Sequence, residues 1–232
     1  MVGHDELMPL DVFAAYRRLR SRPEYPGYCE PFVPVVGRNY GRDGVRSRIL
    51  FCGVAPYYDA MDSYSADDQS ARTEAFARWE AFLRSDASEY GSAFWRLVMR
   101  VLNDFGPACS LGESPLEALA WTNLSKLNSV KATAPEAEAA LHVLNIEQIL
   151  REFRVLEPEI AICVSGSSLV ATGEAAFSAF IEIPFVSRNS GTKVYMLPNG
   201  GHVYWTMHPA RKPAAWADNF MADLQEMFGR RP

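Results

Sequence analysis

The stretch "EIAICVSGSSLVATGEAAFSAF", residues 159–180, decides the fold class. Its first part is a short, unbroken apolar run, which predicts a strand buried on both faces. Gly166 and two serines break the run, and the remainder predicts the helix that follows the strand. Upstream, "SRILFCGVAP" (47–56) is a second buried strand, ending at Gly-x-x-Pro. "LEALAWTNLSKL" (116–127) predicts a strand over 118–124 with Asn123 at its end. Downstream, "KVYMLPNGGHVYWTMHP" (193–209) predicts two strands across an Asn-Gly-Gly turn. Helices are predicted over 11–22 with Asp11 as N-cap, over 71–85, and over 89–104. Phe94, Leu97, Val98, Val101 and Leu102 share one face of the third, and Gly106 suits its C-terminal cap. Two more helices are predicted over about 134–155 and from Pro213 to 229. Short apolar strands alternating with helices imply an α/β layered fold with a short, mostly parallel central sheet.

Composition narrows the class. The chain has 232 residues, 48% hydrophobic and 22% charged, which fits one domain over 1–232 with a real core. Residues 1–45 form an N-terminal helix and an aromatic, Arg-rich extension of it. No apolar run reaches the ~18 residues of a membrane span, and the start lacks a signal-peptide apolar region, so a cytoplasmic location is expected. Cys29, Cys52, Cys109 and Cys163 include no C-x-x-C pair; Cys52 and Cys163 lie in strand-like runs and are expected to be buried thiols. Net charge is −5, which argues against tight nonspecific binding to nucleic acid. Residues 17–48 carry eight Arg against three acids, and residues 59–89 carry eight acids against three Arg. These are expected to form two solvated surfaces of opposite sign, of which only the first suits phosphates.

Ligands of open α/β sheets sit beyond the C-terminal strand ends. That selects Gly53–Tyr58, Thr122–Lys126, Ser165–Ser168 and Thr206–Arg211. His208 closes an apolar run and can donate or accept a proton near neutral pH, or simply stop a buried strand. Arg211 and Lys212 precede a helix N-terminus and suit a phosphate, or solvent. Ser165 and Ser167 are further candidates for phosphate or DNA contact. Asn123 offers a donor and an acceptor on one amide, which suits a pyrimidine edge or a helix cap. Gly53 permits close backbone approach, and Tyr57 and Tyr58 can stack on a base or pack in the core. The P-loop lysine, G-x-G-x-x-G and G-x-S-x-G patterns are absent. Asp59, Asp62, Asp67 and Asp68 complete no ligand pattern, so neither a metal nor a cofactor is expected.

These segments, in order, resemble the uracil-DNA glycosylase superfamily over about residues 48–228. "ILFCGVAPYY" resembles its first motif, "GSAFWRLVMRVL" the Phe-Trp helix of the mismatch-specific branch, and "WTNLSKLN" the Thr-Asn strand end of other branches. "LEPEIAICVSG" resembles the strand before the mid-chain Gly, and "TMHPAR" the His-Pro motif. The resemblance implies a three-layer α/β/α sandwich that flips a damaged base out of DNA and hydrolyses its N-glycosidic bond. Gly53, Val54, Ala55 (through its backbone), Pro56 and Tyr57 would line the base pocket; Asn123 would read the uracil edge. His208 would stabilise charge on the departing base. Tyr57, Tyr58 and Tyr64 are candidates for the stacking aromatic. Some branches place a water-activating Asp or Asn where this chain has Ala55, although one cluster-bearing branch also has Ala. The loop after His-Pro, "ARKP", offers only Arg211 as a large wedge. The implied partner is DNA, single-stranded or damaged, held by a positive groove that includes Arg211, Lys212 and some of Arg38–Arg48. Two alternatives stand beside it: a module of the same fold that binds a base or nucleic acid without cutting, and an unrelated α/β enzyme with His208 as acid or base. The sequence leaves the oligomeric state open.

Overall fold

The structure is a computed structural model that describes residues 2–22, 28–41, 48–55, 64–85, 87, 89, 91–106, 114–127, 139–165, 170–188, 190–210 and 212–229. Among these residues the helices are α1 (His4–Leu7), α2 (Leu10–Arg20), α3 (Asp68–Ser85), α4 (Ala93–Phe105), α5 (Ala139–Leu156), α6 (Val170–Phe177) and α7 (Ala214–Gly229). The strands are β1 (Val35–Val36), β2 (Ile49–Gly53), β3 (Leu119–Asn123), β4 (Ile160–Ser165), β5 (Ile181–Ile183), β6 (Lys193–Met196) and β7 (His202–Met207). No described helix is long and apolar enough to cross a membrane.

One sheet runs in the order β1-β3-β2-β4-β7-β6-β5. The parallel arrangement holds for the four central strands, β3-β2-β4-β7, and fails at both edges, where β1, β6 and β5 pair antiparallel. The sheet is therefore mixed rather than mostly parallel. A hairpin reverses the chain between β6 and β7, and the short β1 and β5 need no helical crossover. The hairpin turn has Gly200 at φ 79°, the left-handed region that the Asn-Gly-Gly sequence anticipates.

Side chains alternate across the sheet, so every central strand feeds two cores. Leu50, Cys52, Ala120, Ala161, Cys163, Val203 and Trp205 pack on one face with α2, α5 and α6. Ile49, Phe51, Leu119, Trp121, Ile160, Ile162, Val164 and Tyr204 pack on the other with α4 and α7. Helices on both faces make three layers, the α/β/α arrangement. Cys52 and Cys163 are buried, opposite one another on neighbouring strands.

Helix ends follow local chemistry. Ser92 caps α4 by accepting a hydrogen bond from the Trp95 amide at 3.2 Å, which places its start four residues after the expected 89. Asp11 is not the N-cap of α2: the helix begins at Leu10 behind Pro9, whose carbonyl already accepts from Phe13. The Arg-rich and acidic stretches meet at Arg17, while the Glu30 pairs lie within the Arg-rich stretch itself. Arg17 on α2 pairs with Asp68 at 2.8 Å and also with Glu30, and Arg20 pairs with Glu30 at 2.7 Å.

Candidate functional site

Four parallel strands ending together bring distant parts of the chain to one edge. Gly53 lies opposite Asn123, Cys52 opposite Cys163, and Ser165 opposite Met207. The amide of His208 donates to the Ser165 carbonyl at 2.9 Å, extending the β4–β7 pairing by one residue. Asn123 and His208 thus stand at the two ends of a row three strand spacings wide, about 14 Å between backbones.

Asn123 is 2% exposed, yet its Nδ2 has no hydrogen-bond partner among the described residues. A buried amide donor without an acceptor costs about 1–3 kcal/mol, so it marks a place where an acceptor is expected to arrive. Its Oδ1 lies against Gly53, where a Cβ would overlap it. The same spot is 3.7 Å from Cε2 of Phe94, the second residue of α4. Gly53 is therefore required by the close approach of Asn123, and Phe94 supplies the neighbouring aromatic surface.

His208 is half-buried. Burial, and then the nearby Lys212 ammonium, lower its pKa from the ordinary 6.5, so the ring is neutral at pH 7. Its Nδ1 accepts from the Ala210 amide at 3.1 Å, which leaves the neutral ring with its proton on Nε2. A neutral imidazole fixed by its own turn and donating from Nε2 suits charge developing on an oxygen or nitrogen. Lys212 is half-buried, its Nζ 3.2 Å from Met207 Sδ.

The remaining candidates divide. Val54 and Ala55 follow Gly53 and are half-buried, and the Val54 carbonyl accepts from Ser125. Ser165 is buried, with Oγ accepting from Trp205 Nε1 at 2.6 Å, so its hydroxyl faces the sheet's own core. Tyr64 is half-buried and packs against the same core as Val54 and Ala55. Pro56, Tyr57, Tyr58, Ser167 and Arg211 lie outside the described residues. Of the arginines expected to line a groove, Arg42 and Arg46 also lie outside the described residues, and Arg38 and Arg48 are elsewhere. Arg48 immediately precedes β2, at the opposite end of the sheet, and lies against Glu157 and Glu159. Arg38 pairs with Glu117 just before β3, at that same far end. Among the described residues no cluster of His, Cys, Asp and Glu is arranged to hold a metal ion.

Reasoning from sequence missed Phe94, which its helical spacing marked only as core. It also missed Lys126 and Glu152, although a lysine inside the apolar "LSKL" was a signal that a buried partner existed. A scan of protein-family models finds no match to the chain, and a search of curated proteins finds none either.

Proposed function

We propose that this edge of the sheet binds a nucleobase, and that the protein is a uracil-DNA glycosylase-like hydrolase acting on uracil or a related damaged base in DNA. The observation that carries the reading is the buried Asn123 Nδ2, a donor with no acceptor among the described residues, set beside Gly53 and Phe94. Such a donor suits a ring carbonyl, as on uracil, and Phe94 offers a face or edge against the ring. His208, neutral and donating from Nε2, would stabilise the negative charge that gathers on the base as the N-glycosidic bond breaks. Backbone from Gly53 to Ala55 would close the pocket floor, and Lys212 would meet a flanking phosphate. None of these roles calls for a metal or cofactor.

A second reading keeps the pocket and drops the cleavage. Ala55 offers no side chain to activate water, and Arg38 and Arg48 stand at the far end of the sheet. Both features favour a module that holds a base without hydrolysing its bond. Incubation with single- and double-stranded oligonucleotides carrying one uracil separates the readings. The glycosylase reading expects alkali-labile abasic sites from the wild type, and loss of most of that activity in Asn123→Ala and His208→Ala. Uracil-dependent binding without abasic sites would select the second reading, and neither binding nor cleavage would remove both.

A further inference from the structure

Behind Asn123 lies a charged network that reading a base does not by itself require. Lys126 and Glu152 are both 0% exposed and form an ion pair at 2.9 Å. Lys126 Nζ also donates to the Asn123 carbonyl at 2.6 Å and to Thr122 Oγ1 at 2.5 Å. Thr122 Oγ1 in turn donates to Glu152 Oε2 at 2.6 Å. Gln148 Nε2 donates to Glu152 Oε1 at 2.7 Å and to the Leu7 carbonyl at 2.6 Å. Burying two charges is expensive, and well-packed apolar residues often serve stability as well or better. The network therefore calls for a reason other than stability.

The turn after β3 shows one. The amides of Leu124 and Ser125 donate to Gly53 and Val54, Lys126 N donates to Asn145 Oδ1, and the Lys126 carbonyl accepts from Phe32. Asn145 is itself held by Tyr16 at 3.1 Å. Every one of these groups is satisfied, and the Asn123 side-chain donor alone in this turn is not.

We propose that Lys126 is a positioning residue: paired with Glu152, it clamps the Asn123 carbonyl and thereby fixes the direction of the Asn123 amide. The consequence for recognition rests on Asn123 being the base reader, but the clamp itself can be tested with no base present. The test compares ¹⁵N–¹H spectra of the ligand-free full chain for wild type and Lys126→Met/Glu152→Gln, a variant that leaves no lone buried charge. Asn123→Ala assigns the side-chain amide pair. The expected result is a folded variant, with the core amides in place, whose Asn123 pair moves toward the position of a free amide and exchanges faster with water. Uracil release, where present, is expected to fall by about 10²-fold, the scale of a misplacement near 1 Å. A folded variant whose Asn123 pair keeps its wild-type shifts overturns the proposal. Should the double variant fail to fold, Lys126→Leu/Glu152→Met, which replaces the pair with apolar volume, decides: displacement of the same pair supports the clamp, and unchanged shifts overturn it. A wild type inactive on uracil would defeat the function reading, while the spectra would still decide for or against the clamp.

Discussion

At Gly53 the fold leaves no room for a side chain, because Asn123 Oδ1 occupies the place a Cβ would take. Gly53→Ala is expected to cost about 1–3 kcal/mol by overpacking and to abolish base recognition by pushing Asn123 aside. Urea denaturation beside an oligonucleotide assay checks both. His208 yields a pH prediction. Its pKa is lowered in the fold, while the unfolded chain titrates near 6.5. Its contribution to stability is thus intact above pH 6.5 and is lost as pH falls through the depressed value. Catalysis that needs the neutral ring should follow the same course, flat above 6.5 with an acid limb below, and that limb should vanish from any residual activity of His208→Ala. The positions of Asn123 and His208 were legible because strand ends can be found from apolar runs. Phe94 was not, since an aromatic on a helix reads as core until the neighbouring strand end is seen beside it.

Among the elements, α4 delivers Phe94 and depends on Ser92 for its first turn. Ser92→Ala is expected to destabilise by about 1 kcal/mol, seen as a lower urea midpoint at unchanged slope. The link between β3 and α5 is more demanding. Glu152→Ala would leave Lys126 buried without a countercharge and should cost about 3–5 kcal/mol, far more than a surface glutamate. Thermal melts of the two variants side by side rank these effects. The central strands and the larger helices were legible from their patterns: unbroken apolar runs for β2 and β4, helical spacing for α4. The edges were not. β1 has two residues and β5 three, too few for any period to emerge, and β5 is exposed or half-exposed along its length. Their antiparallel pairing is what turned an expected parallel sheet into a mixed one.

For the molecule as a whole, charge was the least legible property. Eight arginines in residues 17–48 suggested a surface for phosphates. In the fold, Arg17 and Arg20 neutralise Glu30 and Asp68, while Arg38 and Arg48 meet carboxylates at the far end of the sheet. Pairing across such sequence distances cannot be read from a local count. What the three layers do secure is convergence: four strand ends from residues 53, 123, 165 and 207 meet at one edge. Whether the unpaired amide on that edge reads a ring carbonyl can be decided with free bases. Uracil and cytosine are titrated in turn into ¹⁵N-labelled protein while the Asn123 side-chain amide is followed. A base reader at Asn123 gives a saturable downfield shift of that amide with uracil, a much weaker response to cytosine, and no uracil response in Asn123→Ala at the remaining pocket amides. An Asn123 amide that does not move at saturating uracil would rule this role out.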